Sequence, residues 1–284
     1  MHNKTKKGNL PNLIIIGASK CGTTSLHYYL GLHPQIYMSA EKELNFFNSP
    51  VNWNKGIDWY KSKFIARADI FGESSVGYTH PFRKGVAERM YSIIPETRLI
   101  YILRDPVERI ISEYVHNYSD GVEARSIDET IKDFGTNTYV LRSKYFMQLE
   151  QYIDLYPKSN ILIFTTEEMY TNRSATLQKV FEFLNVDATF NSPDFYRLKH
   201  ESSMKRRKNN FGLLLKRISE TNIAKIFSPD LRRNIGRVLY LPFSDRIERP
   251  VLESGLRQRL IKYLEDDIKC LRDYSGQEFK DWCV

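Results

Sequence analysis

The chain has 284 residues, 42% of them hydrophobic and 27% charged, which is the composition of an ordinary globular protein of one large or two small domains. Its three cysteines exclude a dense disulfide framework, and the lack of any run of about 18 apolar residues excludes a membrane span. A formal net charge of +8 favours an anionic partner such as a nucleotide, a nucleic acid, an acidic glycan or a membrane surface, although a merely basic soluble protein would show the same balance.

The N-terminal MHNKTKKGNLPN is polar and lacks the apolar core of a signal peptide, so a soluble cytoplasmic or other intracellular protein is expected. Residues 1–10 read as a flexible terminus and 11–284 as a single domain. NLIII (12–16) is a short apolar run that ends at Gly17, the pattern of a buried parallel strand. A helix follows, capped by Thr23 or Thr24, with Leu26, Tyr29 and Leu30 on its apolar face; His33-Pro34 ends it. ADIFG (68–72) reads as a second strand and 83–94 as a helix that stops before Pro95. RLIYILRDP (98–106) repeats the opening pattern, with Pro106 at a helix start. Residues 141–156 are amphipathic, ILIFTTEEM (161–169) is another apolar strand, and helices are expected from its acidic pair and over 173–185. Past residue 187 the pattern weakens into a basic stretch, then amphipathic helices over 212–226 and 252–273. Strands alternating with helices imply an α/β fold: a P-loop-like central parallel sheet flanked by helices, with a helical C-terminal part. Cys270 and Cys283 are near enough in sequence to bridge, but nothing indicates that they do.

IGASKCGTTS (16–25) sits between the first strand and the first helix. Gly17 and Gly22 have the spacing of a phosphate-binding loop, G-x-x-x-x-G-K-[ST], but Thr23 stands where the lysine belongs and Lys20 comes three residues earlier. Backbone N–H groups and a helix N-terminus still make an anion site there. A nucleotide kinase would also need Mg²⁺ and an acidic strand end. Asp105 is the one candidate, and Pro106 makes it look like a helix cap.

The stretch IGASKCGTTSLHYYL resembles the 5′-phosphosulfate loop of sulfotransferases that use 3′-phosphoadenosine-5′-phosphosulfate (PAPS) and release the 3′,5′-bisphosphate PAP. The resemblance implies that Lys20 supports the leaving phosphate and that Cys21, Gly22, Thr23, Thr24 and Ser25 cradle it, with no metal required. RLIYILRDPVERIISEYVHNY resembles the same family's 3′-phosphate motif, which assigns that phosphate to Arg104 and Ser112. Taken alone, Arg104 could instead pair with Asp105 or Glu108, and Ser112 could be a small residue on a packed helix face.

A third stretch, SAEKELNFFNSPVNWNKGIDWYKSKF (39–64), resembles glycan sulfotransferases of the heparan sulfate type. It implies Glu43 as the catalytic base, an apolar setting for it beside Phe46 and Phe47, and Lys42, Phe46, Phe47 and Ser75 on the acceptor side. Burial there would raise the pKa of the glutamate toward a value useful for a base. Rival histidine bases are His80, His116 and His200, none of them in a matching motif. Two departures stand out: Ser74 and Val76 in ESSVGY replace a lysine and a proline of the family pattern, and Lys205-Arg206-Arg207-Lys208 lacks the glycine of its nucleotide-closing loop. Lys205, Arg206 and Arg207 are nevertheless expected near PAP, with Tyr196 stacking on its base, unless KRRK is simply a solvated basic loop. The implied reaction is sulfuryl transfer from PAPS to a hydroxyl or amine of an acceptor glycan or of a small hydroxylated metabolite or lipid. A kinase, or a PAP- or nucleic-acid-binding module without catalysis, are the alternatives; nucleic acid is not the expected partner.

Overall fold

The computed structural model describes residues 8–196, 206–208 and 244–284. His200, Lys205 and the helix expected over 212–226 lie outside those residues. Five strands, β1 (Leu13–Gly17), β2 (Ile36–Met38), β3 (Ile70–Ser74), β4 (Arg98–Leu103) and β5 (Ile161–Thr165), form one parallel sheet in the order β2-β3-β1-β4-β5. Parallel neighbours need crossovers, and helices supply them on both faces. Side chains alternate accordingly. Ile14, Ile16, Leu99 and Tyr101 enter one buried cluster with Phe46, Phe47, Tyr60, Tyr78 and Tyr152. Leu13, Ile15, Ile100 and Ile102 enter another with Leu26, Tyr29, Leu30, Val180 and Phe181.

The chain leaves β1 toward β2 and β3, then crosses to β4 and β5 on the other side. The sheet therefore changes winding direction beside β1, and the carboxyl ends of β1 and β4 open onto one crevice. That is where ligands bind in open α/β sheets.

The helices are α1 (Thr23–Leu30), α2 (Pro50–Trp53), α3 (Gly56–Lys61), α4 (Val86–Ile93), α5 (Pro106–Ser119), α6 (Ile127–Thr130), α7 (Thr138–Leu141), α8 (Tyr145–Ile153), α9 (Thr166–Thr171), α10 (Arg173–Leu184) and α11 (Ser254–Ser275). Among the described residues no helix is long and apolar enough to cross a membrane. The expected helix over 141–156 is interrupted. Ser143 is buried at the break, where its hydroxyl donates to the Pro106 carbonyl and accepts from Arg109 Nε. The helix restarts as α8 because Asp267, on α11, accepts from the Phe146 and Met147 amides at 3.0 and 2.9 Å. Burial pushes the Asp267 carboxyl up to about 6. The strand expected over 68–72 begins two residues later, and the edge strand β2 was too short to stand out in the sequence.

The chain is already fastened at Asn9, whose amide donates to the Phe64 carbonyl at 2.9 Å. Its other end folds back over the sheet. Asp105 caps α5 by accepting from the Glu108 amide at 2.9 Å, and its second oxygen accepts from the Cys283 amide at 2.6 Å. Phe279 and Trp282 stack at 4.3 Å, and Gln277 donates to the Ile163 carbonyl at 2.9 Å. Cys270 and Cys283 are unbridged. Asp105→Asn keeps the capping oxygen but gives Cys283 an amide nitrogen to face. It should cost about 1.5 kcal/mol in urea unfolding, and unchanged stability would show that the tail contributes nothing.

Candidate active site

The loop between β1 and α1 follows from its glycines. Gly22 has φ 84° and occupies the cap position of α1, so neither Thr23 nor Thr24 caps the helix as expected. The cap has no side-chain hydrogen bond, the kind of helix N-terminus that suits an anion. Gly17 is required by close approach: a Cβ there would lie 2.5 Å from Thr79 Oγ1 and 2.8 Å from the Tyr101 ring. Lys20 takes φ 70°, in the left-handed region that L-residues seldom adopt.

This loop is tied to the end of β4, where Arg104 stands. The Ala18 amide donates to the Ile102 carbonyl at 2.7 Å. The Thr166 hydroxyl lies 2.7 Å from both the Cys21 and the Leu103 carbonyl oxygens. The Tyr145 hydroxyl donates to the Arg104 carbonyl at 2.8 Å and lies 3.8 Å from Cys21 Sγ. The loop from Lys20 to Ser25 and Arg104 are thus brought together at the carboxyl ends of β1 and β4. Ser112, eight residues after Arg104, is two turns into α5 and buried. The Arg104 guanidinium sits 3.5 Å from Glu108 Oε2, the pairing that the sequence had left open. Burial pushes the Cys21 thiol up to about 12, so its place in the loop is packing rather than nucleophilic chemistry.

The second wall is the segment 39–47. Glu43 has φ 61°, and its amide donates to the Ser74 carbonyl at 2.8 Å. One carboxylate oxygen accepts from the Val76 amide at 3.0 Å and the other pairs with Lys42 Nζ at 2.6 Å. The same ammonium donates to Thr23 Oγ1 at 3.3 Å, joining the acceptor wall to the phosphate loop.

Several expectations fail here. Phe46 and Phe47 are each 1% exposed and pack on Tyr60, Tyr78 and Trp53; they are core residues, not an acceptor wall. They also leave Glu43 without the apolar pocket expected for it: its side chain is 35% exposed and ion-paired. Ser75 is wholly buried and hydrogen-bonded to Glu73, out of reach of an acceptor. Arg206–Lys208 is not a loop but a strand, β6, because it pairs antiparallel with β7 (Ser244–Arg246). Arg206 is exposed, and the Arg207 guanidinium lies 4.0 Å over the Tyr118 ring on α5 and donates to its hydroxyl. Tyr196 is 65% exposed at the end of a 3-10 turn (Pro193–Tyr196), with Arg173 5.8 Å over its ring.

Of the rival bases, His116 lies 3.6 Å from Asp120 at the far end of α5. Burial, then the Arg142 and Arg83 charges, lower His80 to about 4. Sequence reasoning missed His27 on α1. Its Nε2 lies 3.2 Å from the Ser39 carbonyl, which can only accept, so Nε2 carries the proton and Nδ1 accepts from Ser74 Oγ at 2.8 Å. Burial and the Lys42 ammonium lower His27 to about 4, so a neutral ring buttresses segment 39–43. Thr166 and Tyr145 were missed as well; only the capping pattern of TTEE hinted at the first. Among the described residues no group of three or more His, Cys, Asp and Glu gathers as a metal site.

Comparison with known proteins is consistent with this geometry. The chain is 30% identical over 203 residues to the human bifunctional heparan sulfate N-deacetylase/N-sulfotransferase 2, a match covering 64% of this chain and 23% of that protein. It is 30% identical over 200 residues to human heparan sulfate glucosamine 3-O-sulfotransferase 5, covering 66% of this chain and 57% of that one. It thus spans about a quarter and just over half of these relatives. A solved sulfotransferase from Alicyclobacillus acidocaldarius shares the fold, with a TM-score of 0.70 at 23% identity over 97% of this chain and 100% of the other. The model of the sulfotransferase domain matches residues 10–236, most of the chain, and the protein belongs to the sulfotransferase family.

Proposed function

We propose that the protein transfers the sulfuryl group of PAPS to a hydroxyl or amine of a carbohydrate acceptor, with Glu43 as the base. The observation that carries this reading is the bridge from Glu43 through Lys42 to Thr23, at 2.6 and 3.3 Å, which sets a carboxylate beside the phosphate loop. The residues present fit the donor. The uncapped first turn of α1 and the hydroxyls of Thr23, Thr24 and Ser25 suit a 5′-phosphate, and Lys20 suits the charge left on it. Arg104 and Ser112 suit a 3′-phosphate. As the acceptor oxygen or nitrogen bonds to sulfur, the bond from sulfur to the phosphate oxygen breaks. Glu43 takes the acceptor proton.

A glycan acceptor is supported by the named activities of the two human relatives. It is also supported by a basic aromatic surface next to the site. Lys55 and Lys63 place their ammoniums 4.4 and 4.9 Å from the Trp59 ring centre, and Lys63 pairs with Glu41, two residues before Glu43. Such a surface suits an acidic sugar chain.

Calorimetry with PAP, ATP–Mg²⁺ and single-stranded RNA tests the donor: PAP should bind tightest, and a preference for ATP–Mg²⁺ would overturn the reading. Labelled PAPS offered with acidic glycans, neutral glycans and small alcohols tests the acceptor. Transfer to small alcohols alone would remove the carbohydrate.

A further inference from the structure

Near its end β3 carries Glu73, wholly buried and held by hydroxyls rather than cations. Tyr60 and Tyr78 donate to its Oε1 at 2.6 and 2.7 Å, and Ser75 donates to its Oε2 at 2.8 Å. Three O–H groups converging on two oxygens is the pattern that an ionised carboxylate satisfies and a protonated one does not. Burial pushes the carboxyl up, and the three hydroxyls act against that shift.

The direction of these bonds has a consequence for the neighbouring segment. Ser75 and Tyr78 each direct their single hydrogen at Glu73, so their oxygens face outward as acceptors. Ser75 Oγ accepts from the Asn45 amide at 3.0 Å, and the Tyr78 oxygen accepts from the Phe46 amide at 3.0 Å. These two amides lie two and three residues after Glu43, in a turn where Glu43 and Asn45 take φ 61° and 50°. Non-glycine residues persist in that region only where the surroundings over-determine them. The segment after β3 also reaches Glu43 itself, through the Val76 amide at 3.0 Å.

We propose that Glu73 is a positioning residue for Glu43: its buried carboxylate orients the Ser75 and Tyr78 hydroxyls so that they clamp the left-handed turn presenting the Glu43 side chain. The proposal rests on the reading of Glu43 as the base. The negative charge matters more than the shape. The amide of Glu73→Gln offers hydrogens where the carboxylate offered only lone pairs, so at least one hydroxyl must turn its hydrogen away from residue 73, and the fixed orientation that the carboxylate imposed on the clamp is lost.

The test combines hydrogen exchange with kinetics on purified Glu73→Gln. Exchange in a peptide covering 42–48 should quicken about tenfold, while one covering 13–30 stays as in the native protein. The maximal rate should fall about 30-fold, with acceptor KM and PAP affinity within about threefold. Unchanged exchange over 42–48, or faster exchange in both peptides together with weakened PAP binding, would overturn the proposal. Should Glu73→Gln fail to fold, Ser75→Ala and Tyr78→Phe each remove one clamp. Each should quicken exchange over 42–48 and lower the rate about fivefold, and native behaviour of both would overturn it. Selective exchange in Glu73→Gln alongside full turnover by Glu43→Gln would remove the base and leave the clamp. Loss of turnover in Glu43→Gln with native exchange and native rate in Glu73→Gln would remove the clamp and leave the base.

Discussion

Glu43→Gln should lower the maximal rate of sulfuryl transfer about 10³-fold while leaving PAP affinity within about threefold. The substitution is nearly isosteric. Its carbonyl oxygen still accepts from the Val76 amide, as Glu43 Oε2 does at 3.0 Å, so the turn keeps one of its ties. What it loses is the oxygen that takes a proton and the charge that pairs with Lys42 at 2.6 Å. The phosphate loop is built from other elements, through Thr166 and Tyr145, and should bind PAP as before. Lys42→Met separates the two contributions: it removes the bridge to Thr23 but leaves the carboxylate, so its effect should be smaller. Steady-state assays with labelled PAPS, paired with calorimetry, read both quantities. Native turnover by Glu43→Gln would remove it from the chemistry, and a matching loss of PAP affinity would place it at the nucleotide instead.

The sheet and the phosphate loop were legible in the chain because each rests on local pattern. NLIII, RLIYIL and ILIF are short apolar runs of the kind that buried parallel strands carry, and β1, β4 and β5 follow them closely. The loop announced itself through Gly17, Gly22 and the displaced lysine. What failed depended on where side chains point. Glu43, Phe46 and Phe47 lie within five positions, yet the left-handed turn at Glu43 and Asn45 directs the carboxylate to the crevice and both rings into the core. No spacing rule anticipates a non-glycine residue at positive φ. His27, Tyr145 and Thr166 were missed because their partners at Ser74, Arg104 and Cys21 are 41 to 145 residues away in sequence. The basic run at 205–208 looked like a loop for a related reason: the strand partner of Arg206–Lys208, Ser244–Arg246, is remote and polar.

Arg104→Ala should weaken PAP about 10²-fold and leave 5′-AMP nearly unchanged, since only PAP carries a 3′-phosphate. The backbone argues that the change stays local. The end of β4 is held by the Tyr145 hydroxyl on the Arg104 carbonyl and by Asp105 as the cap of α5, neither of which uses the guanidinium. The existing partner of Arg104 argues the same way. Its 3.5 Å contact with Glu108 is long for a salt bridge, and Glu108 is also paired with Arg249. Arg104 can therefore turn to a phosphate without stranding a buried carboxylate, and a partly exposed pair of this kind is worth less than about 1 kcal/mol. A phosphate held by the planar fork gains about 1.5–3 kcal/mol, which sets the size of the expected loss. Arg104→Lys, with a point charge in place of the fork, should recover only part of it. Calorimetry of both nucleotides at one fixed ionic strength makes the comparison, because screening alters all such contacts together. Equal weakening of PAP and 5′-AMP would show that Arg104 serves the 5′ side of the crevice, next to Lys20, and would move the 3′-phosphate elsewhere on α5.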